Sequence, residues 1–254
     1  MTITYRGVGT AGGAATTSGS IPVPSGTLAG DVLFATVALT IDTSNTLISF
    51  PGWTKFASSP VSMSGFTVVY WLWKVAGGSA GNATTDTATA FSWTTSCAWT
   101  VVSAAYGGVD TTTPINGAAS QAFPSNLQTQ TTPSLAPTTG TTWGVAVWTT
   151  RAANAAPGGT PTSSLTNRAN YCPQSSPWEA IAWSDTNGYA SAASQSYGIT
   201  YATTESRGAD ALFFINAAAS SPGLAVQVYN GSAWTAASEG FYNGSAWTSV
   251  VAIK

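Results

Sequence analysis

Phe66-Thr67-Val68-Val69-Tyr70-Trp71-Leu72-Trp73-Lys74-Val75 is the run that decides the fold class. Read with the two-residue period of a strand, Phe66, Val68, Tyr70 and Leu72 fall on one side and Val69, Trp71, Trp73 and Val75 on the other. A strand with one wet face alternates apolar with polar residues; a strand apolar on both faces is covered on both. The run therefore predicts an interior strand with a second layer over it. Three sources of that cover stay open: a loop or sheet corner of the same chain, another subunit, or an aromatic ligand.

Working outward, further runs rich in β-branched, aromatic or small residues lie between clusters of Gly, Pro, Ser and Asn. They are Asp31 to Leu39, Ala98 to Tyr106, Trp143 to Thr149, Trp178 to Trp183, Tyr197 to Tyr201 and Asp210 to Ile215. No stretch sustains a helical period, so the chain reads as all-β. The runs also recur in order. Asp31 to Leu39 answers to Trp143 to Thr149, Phe66 to Trp71 to Trp178 to Trp183, Ala90 to Trp93 to Tyr197 to Tyr201, and Trp99 to Tyr106 to Asp210 to Ile215. Two related sets of strands, 1–115 and 141–218, are expected to face each other as a jelly-roll-like β-sandwich filling residues 1–220. The Pro-, Thr- and Gln-rich stretch Asn116 to Gly140 is expected to connect them.

Residues 224–254 form a separate expectation, a small C-terminal β-hairpin repeat module. Tyr229-Asn230-Gly231-Ser232-Ala233-Trp234-Thr235 returns as Tyr242-Asn243-Gly244-Ser245-Ala246-Trp247-Thr248. Asn-Gly suits the two central positions of a type I′ turn, which need positive φ, so each repeat predicts a tight hairpin with Tyr before the turn and Trp after it. A lone hairpin is barely stable, and such repeats lean on each other, on the main domain or on neighbouring subunits. Tyr229, Trp234, Tyr242 and Trp247 are the candidate interaction residues, either for oligomer contacts or for stacking on sugar rings.

Charged residues make up only 6% of the chain and the net charge is -2, yet eleven tryptophans argue for a folded core. A weakly charged Ser/Thr/Gly surface has little colloidal repulsion, which favours assembly into a homo-oligomer. Seven basic residues supply no footprint for a phosphate backbone, so nucleic acid is not an expected partner. No apolar run approaches the roughly 18 to 20 residues of a spanning helix, and no membrane insertion is expected. The Met1-Thr2-Ile3-Thr4-Tyr5-Arg6 start lacks the pattern of a signal peptide and reads as a mature end made in a cytoplasm. Cys97 and Cys172 sit in no metal-spaced pair; free, buried thiols are expected, with a disulfide left open.

Chemistry is sparse. The chain has no histidine, which removes Ser/His and Cys/His nucleophilic schemes and the commonest zinc sites. A glycosidase needs two facing carboxylates, for which Glu179 with Asp185 and Glu205 with Asp210 are the nearest candidates; each acid reads more simply as a turn or edge residue. Asp185-Thr186-Asn187-Gly188 opens like a calcium loop but lacks the downstream glutamate, and Asx-turn chemistry accounts for it better. Asp110 is expected to close a strand-ending turn in the same way. No phosphate-binding glycine loop is present. No catalytic residue, cofactor or metal is expected.

Several short motifs carry a family resemblance. Leu28-Ala29-Gly30-Asp31-Val32-Leu33-Phe34-Ala35, Pro51-Gly52-Trp53-Thr54, Trp73-Lys74-Val75-Ala76 and Ala104-Ala105-Tyr106-Gly107-Gly108-Val109-Asp110 resemble segments of the minor tail proteins of phages that infect actinobacteria. The repeated tail is similar to C-terminal repeats in such proteins, and Gly107 stands where their pattern has Arg. The resemblance implies a virion structural component, at the tail tip or as a decoration, rather than a reaction; other virion proteins are the expected partners, with host cell-wall glycan left open through the tail aromatics. Its alternatives are a capsid decoration protein, a carbohydrate-binding adhesin and, more distantly, a glycan-cleaving enzyme.

Overall fold

The computed structural model describes residues 2–40, 48–63, 67–123, 127–138, 141–152, 159–162, 164–173, 178–205 and 207–219, and the tail strands 227–229, 234–236, 240–242 and 247–249. Met1–Ala218 forms one compact unit, the body, and Ala219–Lys254 another. The described residues contain strands and no helix.

The body holds three antiparallel sheets. The first runs β1 (Thr4–Ile21), β6 (Thr89–Gly107), β2 (Val32–Leu39), β5 (Val68–Val75) and β3 (Thr54–Lys55), with β4 (Val61–Ser62) also on β5. The second runs β11 (Thr166–Tyr171), β12 (Trp178–Asp185), β9 (Thr142–Ala152), β14 (Arg207–Asn216) and β7 (Ile115–Phe123). The third is β10 (Gly159–Pro161), β13 (Gly198–Glu205) and β8 (Leu127–Thr131).

The first two sheets form a β-sandwich. Val32, Phe34, Val69, Trp71, Val102 and Tyr106 from one meet Val145, Val147, Ile181, Trp183, Ala211 and Phe213 from the other in a single buried cluster. Their alternate neighbours are buried too. Leu33, Val37, Tyr70 and Leu72 on the outer face of the first sheet lie under Ile48, Phe50, Phe91 and Trp93. Ala146, Trp148, Leu212 and Phe214 on the outer face of the second lie under Tyr197, Ile199 and Tyr201 of the third-sheet region. The two-sided run is therefore covered by its own chain: 48–53 and the first half of β6 fold back over the sheet that the second half of β6 helps to build. Phe66 itself lies outside the described residues.

The recurrence seen in the sequence is a recurrence of strand pairing. Tyr5 pairs with Tyr106 as Ile115 pairs with Ile215. Val32 pairs with Tyr106 as Trp143 pairs with Ile215, and Thr36 with Trp71 as Val147 with Trp183. Even the isolated bridges repeat, Leu28 with Ala83 as Leu135 with Gln195. Offsets stay within a narrow range, from 107 (135 minus 28) to 112 (183 minus 71). Strand order in the two large sheets repeats accordingly: β1-β6-β2-β5 matches β7-β14-β9-β12. The third sheet is the second half's version of the cover that β6 and the end of β1 supply in the first.

This corrects one expectation. Asn116 to Gly140 is no connection: Ile115–Phe123 is the edge strand β7, counterpart of the start of β1, and Leu127–Thr131 is β8. An edge strand carries a ladder on one side only and tolerates small polar residues, so it shows little of the apolar signal that marks central strands.

Two equivalent positions touch where the halves meet. Thr67 and Glu179 stand at corresponding places in the strand runs of the two halves, and the Thr67 hydroxyl donates to Glu179 Oε1 at 2.8 Å. A second staple crosses the sandwich. Tyr106 donates to Asp185 Oδ2 at 3.0 Å and accepts from the Trp183 indole at 3.0 Å. Arg168 grips the same carboxylate with two bonds, 2.8 and 2.9 Å, and its guanidinium lies 4.2 Å from the centre of the Tyr5 ring.

Candidate functional site

The four acids nearest to a catalytic pattern are interior groups. Glu179, Asp185, Glu205 and Asp210 are at most 1% exposed. Glu179 and Asp185 point into the sandwich, where Thr67, and Tyr106 with Arg168, respectively bind them. Asp210 faces away from that core, accepting from the Gln121 amide at 3.5 Å, and with Glu205 it is near enough to Tyr201 to raise the pKa of that hydroxyl, though less than burial does. The two pairs thus occupy different layers. Burial pushes the Glu179 carboxyl up to about 8 against the pull of Thr67 and Arg151, and Asp210 up to about 8 against the bond from Gln121. A carboxylic acid enclosed this way has neither the water nor the substrate access that acid–base work requires.

The turn acids behave as expected. Asp185 Oδ1 accepts from the Asn187 N–H at 3.0 Å, and Asn187 takes a left-handed φ of 47°. Asp110 accepts from the backbones of Thr112 and Thr113, at 2.8 and 3.1 Å, which holds its carboxyl below the usual range. Among the described residues no group of acids and cysteines is placed to hold a metal ion. Both thiols are free; Cys97 is buried, whereas Cys172 is half-buried, because it lies just beyond edge strand β11.

In the tail, β15 (Gln227–Tyr229) pairs with β16 (Trp234–Ala236), and β17 (Gly240–Tyr242) with β18 (Trp247–Ser249). Tyr229 stands opposite Trp234 and Tyr242 opposite Trp247. Four residues separate each pair, where a two-residue Asn-Gly turn would leave two. The strong β-formers Tyr and Trp take the closing ladder positions and the small residues are left between them. Asn230, Gly231, Asn243 and Gly244 lie outside the described residues.

Sequence reasoning did not anticipate how the charges are spent. Five of the nine acids, Asp31, Glu179, Asp185, Glu205 and Asp210, are buried. Among the described residues Arg6 and Lys55 are the most exposed charged residues, and Lys74, Asp86, Asp110, Arg151, Arg168 and Arg207 are partly exposed. Arg6 is tied to Asp31 at 3.3 Å, and the Lys55 ammonium sits 5.1 Å from the Tyr70 ring centre and 5.6 Å from that of Phe50. The body's outer surface is therefore sparsely charged. Nothing local marks Arg168, Asp185 and Tyr106 as partners, since Arg168 reaches Asp185 from the neighbouring strand β11 and Tyr106 from the facing sheet.

Comparison with protein-family models, curated proteins and solved structures finds no match to this chain.

Proposed function

We propose that this chain is a non-enzymatic structural component of a virus particle, a minor tail protein that works as an oligomer beside other virion proteins. The observation that carries the reading is the sparsely charged exterior. A soluble domain ordinarily spreads charges of both signs over its surface, and a surface lacking them promotes association. This body instead buries five of the chain's nine acids and leaves mostly Ser, Thr, Gly and Ala outside. That distribution suits a protein whose faces are covered by neighbours in an assembly. The motif resemblance to actinobacteriophage tail proteins supplies the kind of assembly.

Sedimentation velocity on the purified chain, with mass spectrometry of purified particles, tests the proposal. Concentration-dependent oligomers and recovery of the chain from particles are expected. A strict monomer at high concentration, absent from particles, overturns it.

The tail register favours a second reading, host attachment. Each hairpin brings one Tyr and one Trp to directly opposed positions, and paired aromatics provide platforms for sugar rings. Equal binding to host cell-wall glycan by the wild type and by a Trp234→Ala, Trp247→Ala variant would count against it.

A further inference from the structure

The outer face of the third sheet carries threonines in two cross-strand rows. Thr129 on β8 pairs with Thr200 on β13, which pairs with Thr160 on β10. In the next row Thr131 pairs with Gly198, whose carbonyl accepts from the N–H of Thr162 at 2.9 Å. All five threonines are exposed. With strands about 4.8 Å apart and alternate residues about 6.7 Å apart, the hydroxyls sample a patch about 10 Å by 7 Å. Gly198 leaves the centre of the second row without a side chain, and a depression of about 470 Å³ opens over the patch.

We propose that this face binds a neutral polyhydroxylated ligand, the chemistry of an uncharged oligosaccharide. No charged residue lines the depression, so neither a phosphate nor a metal ion finds the opposite charge it needs. Each threonine hydroxyl both donates and accepts, which matches a partner whose own hydroxyls do both. The β-branched methyls offer apolar contact to the carbon skeleton of a sugar. The patch is also preorganised. Threonine is stiff at χ1, and the floor is fixed by Ile199, 1% exposed, and by Gln130, 1% exposed, whose side-chain oxygen accepts from the Tyr201 hydroxyl.

A second observation comes from the other half. Ser18 pairs with Ser92, and Ser92 bridges to Ser49, which is the first-half counterpart of the Thr129–Thr200–Thr160 row. All three serines are exposed. An exposed hydroxyl row thus stands at the same place in both halves although the residue types have diverged.

The site is built from residues of the body alone and stands whether or not the chain belongs to a particle. Its test is calorimetric titration of the full chain with cellohexaose, maltohexaose and chitohexaose, with heparin as a charged control. Valine for threonine at Thr129 and Thr200 keeps shape and raises strand propensity, so the variant folds; near-UV circular dichroism verifies it. At least one neutral hexaose is expected to bind and heparin not to. The Thr129→Val, Thr200→Val variant should lose about tenfold or more in affinity, while Trp234→Ala, Trp247→Ala stays within about twofold of wild type. Filling the depression with Gly198→Val should also weaken binding. Absence of binding by all three hexaoses at millimolar concentration, undiminished binding by the threonine variant, or loss confined to the tail variant would overturn the proposal.

Discussion

Replacing Glu179 by Gln should stabilise the protein at alkaline pH and flatten part of its pH dependence. Glu179 is 1% exposed at the meeting of the two halves, with the Thr67 hydroxyl on Oε1 and no hydrogen-bond partner on Oε2. Burial holds its carboxyl at about 8 against an ordinary 4.5. Between those values the folded state keeps a proton that the unfolded state has released. Stability from this group is therefore full below about 4.5, declines as pH rises, and is lost once pH passes about 8. The ceiling on the loss is roughly 5 kcal/mol, and relaxation around the charged group brings it to a few. Glutamine carries no titrating proton and can still accept from Thr67. Urea unfolding from pH 4 to pH 9 checks the idea: the variant should gain on the wild type by about 2 to 4 kcal/mol across the range. Asp210, also held at about 8, leaves a residual slope of the same sign in both proteins. Parallel stability curves for the two proteins would refute the reasoning.

Three further outcomes are expected. Arg168→Met leaves the buried Asp185 carboxylate without its bidentate partner and should cost about 3 kcal/mol, read as a lower urea midpoint with an unchanged slope. Gly108→Ala should destabilise by about 3 kcal/mol in thermal unfolding, because φ is 70° and the added Cβ would meet the Thr2 carbonyl oxygen at 2.2 Å. At pH 8 an alkylating reagent should leave Cys97 unmodified until denaturant unfolds the protein, and modify Cys172 slowly, since burial holds the thiols at about 12 and about 11.

The central strands were legible in the sequence because burial on both faces leaves an unbroken apolar run, as in Val68 to Leu72. The duplication was legible through the order of those runs. Its full extent was hidden, because the edge strands β1 and β7 are built from Gly, Ala, Thr and Ser and show no period. The hydroxyl face was visible only as Thr129-x-Thr131 and Thr160-x-Thr162, a two-residue spacing whose meaning depends on pairing through β13, far along the chain. The acids misled in the opposite sense. Glu179 with Asp185 and Glu205 with Asp210 are close in sequence, yet their partners, Thr67, Tyr106, Arg168 and Gln121, come from other strands. Side-chain contacts between strands far apart in the sequence leave no local signature.

The proposal that this chain belongs to a virus particle is tested most directly by an electron-microscopy reconstruction of the particles with which it is recovered. Repeated copies of the duplicated sandwich in the tail, packed through their sparsely charged faces, are the expected result. A complete map in which every density is assigned to other chains would contradict it.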